Sequence, residues 1–150
     1  MGQNGSGSNI PPLRSDGYLP DGVHRASESE VMFRFGTSSD RRRRLALRLR
    51  RWIDLSRLVH AKRFLLDGSF VTGKTDPGDV DAVVLLPADF ERQLSQGIEA
   101  AMILEDMLLF RQPEEIFAAE DEDDWNEWVA FFAQTRELDG RRKGLVELIL

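Results

Sequence analysis

A Gly-Ser pair and two aspartates lie close together in the middle of the chain. Gly68 and Ser69 follow a short apolar run, and after nine further residues come Asp79 and Asp81. On a strand, side chains two residues apart point to the same face. Two carboxylates repel each other by roughly 4 kcal/mol at 4 Å for an effective dielectric near 20, so the pair needs either a bound cation or a raised pKa. Carboxylate oxygens suit Mg²⁺, which also binds phosphate oxygens, and the pattern therefore predicts a site for a metal-bound nucleotide.

The same glycine also opens a second phosphate-binding pattern. The segment from Gly68 to Thr75 matches G-x-x-x-x-G-K-[ST], the P-loop, whose Lys-Thr pair begins a helix that holds phosphates. Here the sequence Asp76-Pro77-Gly78 follows, which indicates a turn, and the next apolar run begins too soon for a parallel crossover. The context favours the aspartate pattern, with one helical turn over residues 70–73. The third interpretation is a polar strand start whose aspartates accept hydrogen bonds from the turn.

Apolar periodicity predicts the elements that position these residues. Short apolar and β-branched runs predict strands, and apolar residues at intervals of three and four predict helices. The last helix follows an acidic run, and its four aromatic residues are predicted to be core: Trp125, Trp128, Phe131 and Phe132. The predicted strands cover residues 64–66, 80–86, 116–118 and 144–150, and the other predicted helices cover 27–36, 40–61 and 88–110.

Composition indicates one domain. The chain has 150 residues, of which 41% are hydrophobic and 31% charged, as in soluble globular proteins. It has no apolar run of the roughly 18 residues that a membrane span requires, so we expect a cytoplasmic protein with no membrane partner. The absence of cysteine excludes disulfides and thiolate chemistry. The Gly/Ser-rich start predicts a flexible tail over residues 1–17, followed by a single domain over 18–150.

Charge is distributed unevenly along the chain. Residues 34–63 hold eleven Lys or Arg against two Asp, a net charge of +9, so the remaining residues carry −15 of the total of −6. A basic helix beside an acidic remainder is typical of a surface for nucleic acid or for an acidic protein. The other interpretation is a solvated helix face that pairs with the protein's own acids.

The glycine and aspartate motifs resemble those of the nucleotidyltransferase superfamily of the DNA polymerase β type. Its signature is an apolar residue, Gly-[Gly/Ser], a spacer, and then Asp-apolar-[Asp/Glu]-apolar, and the segments LDGS and DVDA fit it. The longer stretches LPDGVH, RFGTSSDRRRRL, DGSFVTGKTDPGDVDAVV and FFAQTRELDGRRKGLVEL resemble a group of small bacterial proteins of this fold. The resemblance covers most of residues 18–150.

This resemblance implies an α/β (α+β) nucleotidyltransferase fold, a mixed β-sheet flanked by helices. It also implies two Mg²⁺ ions held by three carboxylates, and transfer of a nucleoside monophosphate from an NTP with release of pyrophosphate. Asp79 and Asp81 would hold the metals, and Gly68 and Ser69 would contact the β and γ phosphates. Lys74 would reach a phosphate or remain solvated.

The third carboxylate is ambiguous in the sequence. Glu115 precedes a short predicted strand and is the first candidate, with a surface acid as the alternative interpretation. Glu147 lies within the last strand and is the second candidate, although it also fits an ordinary strand residue. An Asp is more usual than a Glu at this position of the family.

Three functions follow as hypotheses. The first is a Mg²⁺-dependent nucleotidyltransferase acting on a protein or RNA acceptor. By analogy with small enzymes of this superfamily, its setting would be a toxin–antitoxin or defence pair with a cognate partner. The second is a binding module of the same fold with a degenerate metal site, which holds RNA or an acidic protein through the arginine helix. The third is a P-loop NTPase that depends on Lys74.

Overall fold

The fold is a mixed β-sheet with helices on both faces, described by a computed structural model for residues 9–110 and 115–150. This confirms the predicted mixed sheet flanked by helices. The strands in these residues are β1 (Gly22–Ala26), β2 (Arg63–Asp67), β3 (Asp81–Leu85), β4 (Glu115–Ala119) and β5 (Gly144–Leu148). The α-helices are α1 (Glu28–Phe35), α2 (Asp40–Leu58), α3 (Phe90–Ser95), α4 (Glu99–Phe110) and α5 (Glu122–Phe132).

Strand order brings distant parts of the chain side by side. The order is β1-β5-β2-β3-β4. Strand β2 is antiparallel to both β3 and β5, whereas β1 pairs in parallel with β5 and β4 pairs in parallel with β3. The Gly-Ser segment therefore joins two antiparallel neighbours, as its short length predicts.

Alternation along the strands divides the core into two layers. Leu66, Val84 and Val146 face the larger cluster, which contains the buried residues of α1 to α4. The neighbouring positions Leu65 and Val83 face the smaller cluster, which contains Trp125 of α5. Helix α5 thus covers one sheet face alone, and the other four helices cover the opposite face.

The caps of the first two helices follow the sequence signals. Ser27 accepts a hydrogen bond from the Glu30 backbone N–H, and the Glu30 side chain accepts one from the Ser27 backbone, which completes a capping box. Ser39 caps α2 by accepting from the Arg42 backbone N–H. Among the described residues, no helix is both long and apolar enough to cross a membrane.

Three local predictions were wrong. The predicted helix over residues 88–110 is two helices, because Gly97 adopts a φ of +72° and ends the first. Strand β1 was not predicted, since its sequence GVHRA contains no apolar run. Phe131 was predicted to be core, but it is 60% exposed.

The predicted tail is also too long. Ile10 is only 3% exposed and belongs to the larger cluster, so the packed domain extends before residue 18. The Arg34 guanidinium donates hydrogen bonds to the carbonyl oxygens of Ile10 at 3.1 Å and Pro11 at 2.8 Å. Residues 1–8 of the predicted tail lie outside the described residues.

Candidate functional site

A cleft of about 1050 Å³ opens at the end of the sheet where β2 ends and β3 begins. Five of the six predicted site residues line it: Gly68, Ser69, Lys74, Asp79 and Asp81. Its other walls include residues 15–18, Phe131 and Phe132 at the end of α5, residues 134–136 after it, and Lys143. Glu115 is not part of this lining.

The turn at the floor of the cleft requires glycine. Gly68 has a φ of +94°, which side chains rarely adopt. A Cβ at this position would lie 3.1 Å from the Asp79 carbonyl oxygen and the Asp81 backbone nitrogen, and 3.2 Å from Asp79 Oδ1. The absence of a side chain therefore lets the turn contact the acidic segment directly.

Asp79 is fixed by the turn and not by the strand. Strand β3 begins at Asp81, so the prediction that both aspartates lie on one strand was wrong. The Asp79 carboxylate accepts hydrogen bonds from the Ser69 backbone N–H and from Ser69 Oγ, both at 2.7 Å. Both Ser69 donors are thus used to orient Asp79, which matches the interpretation of an aspartate satisfied by the turn. A phosphate contact by Ser69 stays a prediction.

Three carboxylates lie in a row across neighbouring strands. In the sheet register Asp81 is paired with Asp67 of β2 on one side and with Glu115 of β4 on the other. All three are at positions whose side chains face the α5 side, because they share the alternation of Leu65, Val83 and Phe117. We call Asp67, Asp81 and Glu115 the acidic row.

Asp67 is the member that the sequence analysis missed. It follows an apolar run and precedes glycine, a combination that indicates a turn residue. In the structure it ends β2 and is 3% exposed. Lys143 Nζ lies 3.0 Å from its Oδ1 and 3.3 Å from its Oδ2.

The acidic row is only partly neutralised by the protein. Burial raises the pKa of Asp81 to about 7, and the charges of Asp79, Asp67 and Glu115 add to this rise while Lys143 opposes it. Burial also raises the pKa of Asp67, against the effect of Lys143. Near neutral pH, Asp81 therefore binds a proton far more readily than an ordinary aspartate and would be stabilised by a cation.

Glu147, the alternative third carboxylate, is used elsewhere. Its two carboxylate oxygens accept hydrogen bonds from Arg63 at 2.7 and 2.8 Å, at the opposite end of β2 from Asp67. Glu115, although outside the cleft lining, acts electrostatically on Asp81. The geometry favours Glu115 over Glu147 as a member of the site.

The loop after the turn is held by the start of the arginine-rich helix. Arg42 is 3% exposed, so it is buried rather than part of the solvated face. Its guanidinium donates to the carbonyl oxygens of four residues: Phe35, Phe70, Thr72 and Lys74. Arg41 adds hydrogen bonds to the carbonyls of Pro77 and Gly78. These contacts set the path of residues 70–78 along the cleft.

The backbone path of residues 68–78 excludes a P-loop. After Gly68 the chain makes one short 3-10 turn over Ser69–Val71, and no helix begins at Lys74. Lys74 is exposed in an irregular segment. The arrangement of a P-loop lysine at a helix start is therefore absent from this segment, as its proline and glycine predict.

Removing the Arg42 guanidinium should release this loop. Arg42→Met leaves the buried carbonyls without their donor, and we expect a loss of about 2–4 kcal/mol in the free energy of unfolding, measured by denaturant titration. Amide hydrogen exchange in residues 70–78 should become faster. Arg44→Met, on the exposed side of the same helix, is the matched control; equal effects of the two variants would contradict this role.

Asp81 should make stability depend on pH. Its pKa is about 7 in the folded chain and 3.8 ordinarily, so between these values the folded state holds a proton that the unfolded state releases. The free energy of unfolding contributed by Asp81 therefore falls as pH rises from about 4 to 7. In thermal melts without added metal, Asp81→Asn should gain Tm relative to wild type from pH 5 to pH 8. For the exposed control Asp123→Asn we expect the same Tm difference from wild type at pH 5 and pH 8. The same result for Asp81→Asn would refute the raised pKa of Asp81.

The comparisons with known proteins bear on the family alone. No curated protein and no solved structure matches the chain. One family profile does match, over residues 11–149, and it spans both the glycine turn and the acidic row. The chain therefore belongs to the family of unknown function DUF6932.

Proposed function

We propose that the protein is a Mg²⁺-dependent nucleotidyltransferase that transfers a nucleoside monophosphate from an NTP to a macromolecular acceptor. The observation that carries this proposal is the group of Asp67, Asp79 and Asp81 that lines the cleft beside the Gly68 turn, with Glu115 paired to Asp81 on the neighbouring strand. The acceptor hydroxyl oxygen would bond to the α-phosphorus, the bond to the bridging oxygen would break, and pyrophosphate would leave with that electron pair. The hydroxyl proton would pass to water.

The electrostatics of the cluster fit a divalent cation. Asp79, Asp67 and Glu115 all act electrostatically on Asp81, and among the described residues Lys143 forms an ion pair with this group, through Asp67. Burial raises the pKa of Asp81 to about 7, and the three neighbouring carboxylates add to this rise. Bound Mg²⁺ would neutralise the carboxylates and the phosphates together and stabilise the entering and leaving oxygens.

The donor set also suits Mg²⁺ by its chemistry. The candidate ligands are all carboxylate oxygens, from Asp79, Asp81 and Glu115. Among residues 9–110 and 115–150, no three His, Cys, Asp or Glu side chains are close enough to form a ligand group on their own. Mg²⁺ is commonly held by one or two carboxylates together with substrate phosphates and water, so two aspartates beside a nucleotide would suffice for each of two ions.

Each residue of the candidate site has its own role in this proposal. Asp79 and Asp81 hold the metal, and Ser69 keeps Asp79 oriented through its two hydrogen bonds. Gly68 has no Cβ, which at this position would lie 3.1 Å from the Asp79 carbonyl oxygen, so the turn packs directly against the acidic segment. Lys74 lines the cleft on the loop side and would contact a phosphate.

The acceptor would be a protein or an RNA supplied by another molecule. The cleft is lined by the loop residues 72–74 and by residues 134–136 after α5, and the exposed Phe131 is also part of its lining. By analogy with other small nucleotidyltransferases, the setting would be a toxin–antitoxin or defence pair in the cytoplasm.

Calorimetric titration of a non-hydrolysable NTP, with and without Mg²⁺, tests the nucleotide site. We expect binding only with Mg²⁺, and a Kd weakened by roughly 100-fold or more in the double variant Asp79→Asn/Asp81→Asn, because both metal ligands lose their charge. The control is Asp123→Asn/Glu127→Gln, which removes two exposed acids of α5. Wild type that folds but binds no NTP would refute the proposal, as would binding that survives in the double variant.

The second candidate function is binding through the arginine-rich helix, favoured by one observation on α2. Most of its arginines are already used: Arg43 pairs with Asp40, Arg50 and Arg57 pair with Glu28, and Arg41 and Arg42 hold the loop. Three others, Arg44, Arg48 and Arg51, form no ion pair with the described residues. Their spacing of four and three places them on one side of the helix, where they offer a basic face.

Salt dependence tests whether this basic face binds RNA. With single-stranded RNA, three phosphate contacts predict that the slope of log K against log salt falls by about 2 in Arg44→Gln/Arg48→Gln/Arg51→Gln. The matched control Arg43→Gln/Arg50→Gln/Arg57→Gln removes the same charge from paired positions. An unchanged slope in the first variant would remove RNA binding by this face and leave an acidic protein as the partner to seek.

A further inference from the structure

Lys143 places a largely buried ammonium group at the floor of the cleft. It precedes β5, and its backbone N–H donates to the Ala133 carbonyl at 2.9 Å. The following residue, Gly144, donates to the Leu19 carbonyl at 2.9 Å. The side chain is 16% exposed and lines the cleft together with Asp67 and Asp81. The backbone hydrogen bonds of Lys143 and Gly144 therefore fix the main chain that carries this ammonium.

Only part of this ammonium is used by the protein. A lysine ammonium has three N–H donors. Both of its close contacts go to the two oxygens of a single carboxylate, that of Asp67. No other acceptor among the described residues is hydrogen-bonded to Nζ, so at least one donor is left for a ligand in the cleft.

A buried ion pair is not explained by stability. Transfer of both charges from water costs several kcal/mol per ion, and well-packed apolar residues often serve equally well. The next inward positions of the same two strands, Leu65 and Leu145, are apolar and fully packed. The pair also stands beside Asp81, where an additional carboxylate increases repulsion. Asp67 thus holds the Lys143 ammonium beside the acidic row.

We infer that Lys143 is a phosphate-binding residue of the cleft and that Asp67 is its positioning residue. This inference rests on the proposed nucleotide site and adds a contact that the sequence motifs do not contain. Lysine binds phosphate as a compact point charge, and a fixed ammonium beside the acidic row would balance phosphate oxygens that approach the carboxylates. The ligand class is a nucleoside triphosphate or its product pyrophosphate, both bound with Mg²⁺.

Two variants separate phosphate binding from a counter-ion role. Lys143→Met removes the ammonium but leaves Asp67 buried without its partner, which also lowers stability. The double variant Asp67→Asn/Lys143→Met removes both charges and keeps the volumes similar. If Lys143 serves only to neutralise Asp67, the double variant binds ligand like wild type. If Lys143 binds phosphate, the double variant stays defective.

The measurement is calorimetric titration of inorganic pyrophosphate and of a non-hydrolysable ATP analogue, each with Mg²⁺, on protein shown by thermal melts to be folded. We expect a loss of about 10- to 100-fold in affinity for both ligands in Lys143→Met and in the double variant, because a charged hydrogen bond is lost. Lys62→Met, at an exposed lysine outside the cleft, should bind like wild type.

The outcomes also separate this inference from the proposed function. Wild type that binds the nucleotide, with the double variant binding equally well, would overturn the role of Lys143 and leave the nucleotide site intact. Wild type that binds neither pyrophosphate nor nucleotide would overturn the nucleotide site and this inference with it. Loss in Lys143→Met alone, restored in the double variant, would identify a counter-ion and overturn phosphate binding.

Discussion

Repulsion among carboxylates at one end of the sheet is the constraint around which the cleft is organised. Asp67, Asp81 and Glu115 come from three adjacent strands, and the paired positions of neighbouring strands lie only about 5 Å apart. Burial strengthens their interaction, because charges inside a protein are screened less than charges in water. The surrounding structure has to fix these groups firmly, since each would otherwise turn toward solvent and away from its neighbours.

Contacts from the glycine turn and from the start of β5 hold the carboxylates of the cleft, and part of the basic segment holds the neighbouring loop. Ser69 orients Asp79 from the turn, and Lys143 holds Asp67 from the start of β5. On the outer side, Arg41 and Arg42 bind loop carbonyls, so part of the basic segment stabilises backbone rather than forming a nucleic-acid surface. The +9 charge of residues 34–63 therefore has several structural uses, and Arg44, Arg48 and Arg51, which form no ion pair with the described residues, remain for a partner.

Local signals in the sequence predicted most of the fold, but not the groups that complete the site. The strands around the turn and the capped helices α1 and α2 follow from apolar runs and cap residues that act within a few positions. The pairing of Asp67 with Lys143 joins residues 76 positions apart, and no local pattern encodes it. Arg42 lies in the segment that was interpreted as a binding surface or a solvated face, because periodicity does not reveal buried backbone carbonyls that need a donor. Gly97 was accepted within a helix, although its positive φ divides α3 from α4.

Acidic residues at the two ends of the same sheet face have different partners, and this contrast favours a ligand in the cleft. At the far end, Glu147 and Glu122 share Arg63, whose guanidinium also lies 4.5 Å from the centre of a Trp125 ring. Both carboxylate oxygens of Glu147 are thus hydrogen-bonded to a guanidinium that the chain itself supplies. At the cleft end, the Lys143 ammonium pairs with Asp67 among the described residues, and burial together with the neighbouring carboxylates raises the pKa of Asp81 to about 7. Lys143 balances the acidic row only in part, and this imbalance supports the proposal that a metal-bound nucleotide completes the site.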